Sequence, residues 1–158
     1  MNTVKNHFKS KNPWATDKQM NTDKTQRDNG SMSSESNREG INQLTEKLIA
    51  CNYRVSNTLG SGFLEKVYEN ALAIELRNNG LKVQQQHPIK VFYDGQAVGD
   101  FAADLLVESC VIVELKAVRT FDDVHSAQCL NYLKATNLKL CLLVNFGRPR
   151  VEIKRLVL

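Results

Sequence analysis

A chain of 158 residues with 42% hydrophobic and 24% charged content suits one globular domain, with room for a tail. No run approaches the roughly 18 apolar residues of a bilayer span, and the N-terminus lacks the apolar core of an export signal, so a cytoplasmic protein without membrane contact is expected. A net charge of +4 permits nucleic acid as a partner without demanding it. The four cysteines, Cys51, Cys110, Cys129 and Cys141, show no C-x-x-C pair and no histidine at zinc-ligand spacing, so reduced, buried thiols are expected.

Residues 1–40 are polar, with seven basic and five acidic side chains and almost no aliphatic ones. Such a segment buries too little apolar surface to offset its ordering entropy, and a disordered tail is expected, with Trp14 its one candidate docking residue. From Ile41 the composition becomes that of a packed domain, 41–158, which carries the remaining +2 of charge. Ile41, Leu44, Leu48, Cys51 or Asn52, and Val55 recur at three- and four-residue steps, predicting a helix over 41–57. Gly60-Ser61-Gly62 breaks it. Leu64, Val67, Tyr68, Ala71, Leu72 and Leu76 predict a second helix over 63–79, closed by Asn78-Asn79-Gly80. Glu65 lies at the border of that stripe, where a plain first-turn carboxylate favoured by the helix dipole is the ordinary reading.

Strands follow: 89–93, an Asp94-Gly95 hairpin turn, 96–107 with Gly99 as a candidate bulge, and 111–118. A helix is predicted over 122–136, capped by Thr120 or Asp122, then a buried strand over 138–146 and a last strand over 151–157. The expected class is α+β, in the order α-α-β-β-β-α-β-β, with a central mixed sheet flanked by helices.

Three charged residues, Asp104, Glu114 and Lys116, lie inside the apolar strands 96–107 and 111–118. Charge there costs several kcal/mol unless paired or holding a metal. Alternation puts Glu114 and Lys116 on one face. A two-residue turn at Ser109-Cys110 would pair Asp104 with Leu115 and point it away. A three-residue loop, Glu108-Ser109-Cys110, would set Asp104 opposite Glu114, with β-carbons about 5 Å apart. Like charges so placed call for a cation between them, and Mg²⁺ is commonly held by one or two carboxylates plus water and phosphate oxygens. An internal ion pair with Lys116 is the other reading of the same residues.

The helix, the charged hairpin and the Gln128-Cys-Leu-Asn-Tyr132 motif on the helix after it together resemble the PD-(D/E)XK nuclease superfamily, whose restriction-endonuclease-like core has this order. Gly62-Phe-Leu-Glu65-Lys-Val-Tyr68 fits the signature of the GxxExxY protein family within that superfamily, and the likeness runs from Leu59 to Leu158. It includes Ala71–Leu76, Val113–Ala117, His125–Leu133 and Leu143–Gly147. Two positions depart from it: Ser56 stands where relatives often carry histidine, and Gly60-Ser61-Gly62 where they often have Gly-Pro-Gly.

The resemblance implies a Mg²⁺- or Mn²⁺-dependent nuclease acting on nucleic acid, with DNA the expected substrate and a homodimer an open assembly. It implies Asp104 and Glu114 as metal ligands, with the Leu115 carbonyl as a third and Glu65 as an auxiliary carboxylate. Lys116 would position the attacking water, and Gln128 and Tyr132 would contact water, Lys116 or a phosphate. His125 is a candidate phosphate donor, and Arg119, Arg148, Arg150, Lys154 and Arg155 form either a phosphate-facing patch or a solvated rim. The alternatives are a catalytically weak nuclease-fold module that binds nucleic acid and a protein-interaction domain.

Overall fold

The computed structural model describes residues 29–158, and side chains from residue 35 onward. Its elements are α1 (Asn29–Leu59), α2 (Glu65–Asn78), β1 (Val83–Tyr93), β2 (Gln96–Val107), β3 (Val111–Lys116), α3 (Asp123–Thr136), β4 (Leu140–Asn145) and β5 (Glu152–Val157). The strands form one mixed sheet in sequential order β1-β2-β3-β4-β5. All neighbours are antiparallel except β3 and β4, whose parallel pairing requires the crossover that α3 supplies. The order and the α+β class are those expected.

Two apolar layers cover the sheet. On one side Leu48, Cys51 and Val55 of α1 and Tyr68, Leu72 and Leu76 of α2 pack against Leu105, Val113, Leu115, Leu142 and Val144. On the other, Cys129, Tyr132 and Leu133 of α3 pack against Ile89, Leu106, Ile112, Cys141 and Leu143. β4 is buried throughout because helices cover both its faces. All four cysteines are free thiols. The Cys141 thiol is pushed up by its hydrogen bond with Cys129 and by burial, so it stays protonated. No helix among the described residues is long and apolar enough to cross a membrane.

Most boundaries shift by one or two residues from the sequence reading, and two strand or helix starts shift by six or more. Helix α1 begins at Asn29, twelve residues before Ile41, so residues 29–40 of the expected tail are helical; residues 1–28, with Trp14, lie outside the described residues. Residues 35–40 are all exposed. Polar composition rules out a core contact there, but a helix nucleated by the packed segment beyond Ile41 can propagate backward without one. Strand β1 begins at Val83 rather than Ile89, with Gln84 and Gln85 paired to Leu106 and Leu105 across the ribbon. Strand β3 ends at Lys116, two residues early, because Asn145 takes over the backbone of Val118. The expected bulge is present: Val91 pairs with Gly99 and Phe92 with Ala97, which leaves Val98 as the extra residue.

The entry to α2 is locked by Tyr68. Its buried hydroxyl donates to the Gly60 carbonyl at 2.9 Å and accepts the Phe63 amide at 3.2 Å. Its ring stacks on Phe146 with centroids 4.5 Å apart. Gly60 and Gly62 carry φ of 69° and 116°, which side chains resist, so the loop can close over the tyrosine. This clamp decides where α2, and with it Glu65, begins. Tyr68→Phe keeps the stack but strands two backbone groups, and is expected to cost about 1–2 kcal/mol. A urea midpoint unchanged from wild type would contradict it.

Candidate functional site

Strands β2 and β3 pair at Leu105–Val113, Leu106–Ile112 and Val107–Val111, the register of the three-residue loop Glu108-Ser109-Cys110. Glu108 and Ser109 hold φ of 49° and 56°, and the Cys110 amide closes onto the Val107 carbonyl. The last pair, Leu105–Val113, stops one residue short of Asp104 and Glu114. There the ladder ends, and the Asp104 carboxylate itself accepts the Leu115 N–H at 2.7 Å.

Glu114 is 3% exposed, with one oxygen accepting from Lys116 Nζ at 3.0 Å and the other, Oε2, buried without any partner. Burial pushes Glu114 up to about 7, the facing Asp104 charge adds to this, and Lys116 opposes it. Asp104 is also raised, by burial above all, although the Leu115 amide and Lys116 pull it down. For Lys116 burial acts downward, but Glu114, Glu65 and Asp104 together outweigh it and hold the group above the usual lysine range. A lysine in that state is a fixed cation and not a base.

Glu65, the first residue of α2, accepts the Ala117 amide at 3.1 Å, so its carboxylate stands at the exit of β3, directly past Lys116. Tyr132 is 6% exposed, and its hydroxyl accepts from Gln128 at 2.8 Å. Burial raises its pKa, with Glu114 and Asp104 contributing, so the phenol stays a hydrogen-bond donor. Four of the predicted side chains, Asp104, Glu114, Lys116 and Tyr132, thus stand within one another's electrostatic reach; Glu65 acts on Asp104 and Lys116, and Gln128 joins through Tyr132.

His125 is placed otherwise. Its Nδ1 accepts the Asp122 N–H at 3.0 Å while Asp122 accepts from Val124, a capping box that ties the imidazole to the start of α3. The basic residues divide: Lys154 donates to Ser126 and Arg155 to Asn42, whereas Arg148 and Arg150 flank a small separate cleft with Pro149.

Sequence reasoning missed three members of the surroundings. Glu69, 2% exposed, accepts from Lys66 at 2.7 Å, from Gln85 at 3.0 Å and from Gln86 at 2.8 Å. The Gln86 amide reaches on to Asp104 at 3.5 Å, from a residue held at φ 52°. The only sequence signal was a charged residue one turn after Glu65, beside the buried Tyr68. Asn145, fully buried, takes the Val118 and Gly147 amides and donates to the Val118 carbonyl at 2.8 Å, clamping the strand end that carries Lys116.

Among the described residues no three His, Cys, Asp or Glu side chains gather at one point. The donor set is the Asp104 carboxylate, held by the Leu115 amide, and the Glu114 carboxylate beside Lys116, one of whose oxygens is buried without a partner. That set fits a hard divalent cation of the Mg²⁺ kind, which takes one or two protein carboxylates and keeps water in its other positions.

A family model described as the PD-(D/E)XK nuclease superfamily matches residues 42–156. The chain therefore belongs to that superfamily. The solved structure described as "Crystal structure of SSO0001" is similar at 16% identity and a TM-score of 0.46, over 58% of this chain and 48% of that one. The chain spans about half the length of that structure. No curated protein matches.

Proposed function

We propose that the chain is a divalent-cation-dependent nuclease of the GxxExxY type, which hydrolyses phosphodiester bonds in nucleic acid, with DNA as substrate and Mg²⁺ or Mn²⁺ as the ion. One observation carries the reading: the Asp104 carboxylate sits on the Leu115 amide, next to the Glu114–Lys116 pair, and a buried oxygen of Glu114 has no partner. Asp104 and Glu114, with the Leu115 carbonyl, would hold the cation, which would supply an acidified water and neutralise charge on the phosphate; Glu65, engaged by the Ala117 amide and not gathered with that pair, would be an auxiliary carboxylate.

The chain's own groups do the rest. Asp104 is held in place by the Leu115 amide from one side and by Gln86, itself anchored on Glu69, from the other. Lys116, kept protonated, offsets the negative charge that builds on the phosphate and orients water by donating to it. The Tyr132 hydroxyl already accepts from Gln128, so its proton is free to reach a phosphate oxygen. One such site cuts one strand, so a double-strand break would require a second copy of the chain.

Incubation of the purified protein with Mg²⁺ or Mn²⁺ and assorted nucleic acids tests the reading. Wild type is expected to cleave, and Glu114→Ala and Lys116→Ala to lose about 100-fold or more. Equal activity in all three would sink the assignment. Salt-sensitive binding without cleavage would instead favour a nuclease-fold binding module.

A further inference from the structure

A groove of about 870 Å³ runs between the β1–β2 ribbon and the outer face of α3. Its floor and walls include Phe92 and Phe101 from the ribbon, Val124 and Asn131 from α3, and the paired Gln128 and Tyr132 of the candidate site. Phe92 is 62% exposed and Phe101 52%, a large apolar area for a surface that no part of the described chain covers. Phe101 lies 6.2 Å, centroid to centroid, from Tyr132, whose ionisation is influenced by Glu114, Lys116 and Asp104. The groove therefore shares Gln128 and Tyr132 with the candidate site, while Asp104, Glu114 and Lys116 do not line it. Lys90 and Lys134 also line it, and no aspartate or glutamate does; Asp100, across the ribbon from Lys90, is not among the lining residues.

Aromatic faces combined with cations and no acid suit a polyanion that carries flat apolar rings. A duplex keeps its base faces stacked on one another and offers only phosphates and edges to such a surface. An unpaired strand can lay a base on each phenyl ring while its phosphates meet the lysines. A volume in the usual range of small-ligand pockets, roughly 300–1,000 Å³, has room for splayed nucleotides. We propose that this groove binds an unpaired nucleic-acid strand and leads it past Tyr132 to the carboxylates. The inference rests on the nuclease reading for the direction of the strand, but not for the binding itself.

Fluorescence anisotropy with the full chain in EDTA tests it, using labelled oligodeoxythymidylate of about 12 nucleotides and a duplex of equal length. The single strand is expected to bind more tightly than the duplex. Phe101→Ala should weaken it about tenfold, the loss of one stacked base. Lys134→Glu, at an exposed helix position far from any core contact, should weaken it comparably and flatten the salt dependence. Melting curves confirm that both variants are folded.

Duplex binding as tight as single-strand binding, or unchanged affinity in both variants, would overturn the proposal. So would a dimer in sedimentation that Phe101→Ala dissolves, since a second copy would then cover the groove. Cleavage by wild type with affinity unchanged in Phe101→Ala sinks the groove and leaves the nuclease reading intact. Single-strand binding lost in Phe101→Ala, with no cleavage under any divalent ion, does the reverse.

Discussion

Replacing Glu114 with glutamine is expected to stabilise the metal-free protein above neutral pH while removing its cleavage activity. Glu114 is raised from an ordinary 4.5 to about 7, so the folded chain keeps a proton that the unfolded chain gives up. The stability tied to that proton is complete below about pH 4.5, falls as pH rises through about 7, and is then fully lost. The whole loss is about 3 kcal/mol. Asp104, raised in the same sense, adds to the slope. Lys116 is raised too, but its contribution disappears only in the alkaline range, outside this window. In the glutamine variant Lys116 loses its 3.0 Å partner yet keeps the attraction of Glu65 and Asp104, so the cation is not abandoned.

Thermal melts in EDTA should therefore coincide at about pH 5 and separate in favour of Glu114→Gln at about pH 8. Added Mg²⁺ should raise the wild type alone, because only a carboxylate pair offers a cation a gain in the folded state. Parallel curves for both proteins across that range would show that Glu114 is not held under strain. A site that is costly without its ligand is the pattern expected where function and stability pull apart.

The second large effect is expected from Gly147→Ala. A β-carbon at residue 147 would lie 2.3 Å from the Val118 oxygen, 2.4 Å from its nitrogen and 2.7 Å from the Ala117 carbonyl carbon. All three are backbone atoms, so no side chain can swing aside. The same segment is bound by Asn145 to Val118 and by the Phe146 amide to the Lys116 carbonyl at 2.8 Å. Relief must come from moving the end of β3, which carries Lys116 and faces Glu65. A destabilisation of about 3 kcal/mol is expected, together with a loss of cleavage larger than the unfolded fraction explains. A variant with wild-type urea midpoint and rate per folded molecule would mean that the strand end has slack.

The sheet order and the helix stripes were legible because they are periodic. Leu48, Cys51 and Val55, or Tyr68, Leu72 and Leu76, meet the core at the spacing their helices dictate. The charged strand residues were legible for the opposite reason: Asp104, Glu114 and Lys116 break an apolar pattern that a buried strand would otherwise keep. The extent of α1 was not legible, since residues 35–40 are exposed and the helix there depends on the segment beyond them. Nor was the role of His125, because a cap and a phosphate donor call for the same residue at the same place.

Which side chains stand together was a tertiary matter. The sequence by itself determined that a hairpin carries Asp104, Glu114 and Lys116, and it left two registers open. Only the folded sheet chose the register of the three-residue loop, through two residues at positive φ, and brought the Asp104 carboxylate onto the Leu115 amide. Only the packing of α2 brought Glu69 and Gln86 behind Asp104, and only the clamp of Asn145 and Gly147 secured the strand end beneath Lys116. The physical reason is range. Periodicity and charge cost act on neighbours along the chain, whereas a shared site is made by contacts between residues tens of positions apart, such as Glu65 and Ala117, whose order the linear pattern does not encode.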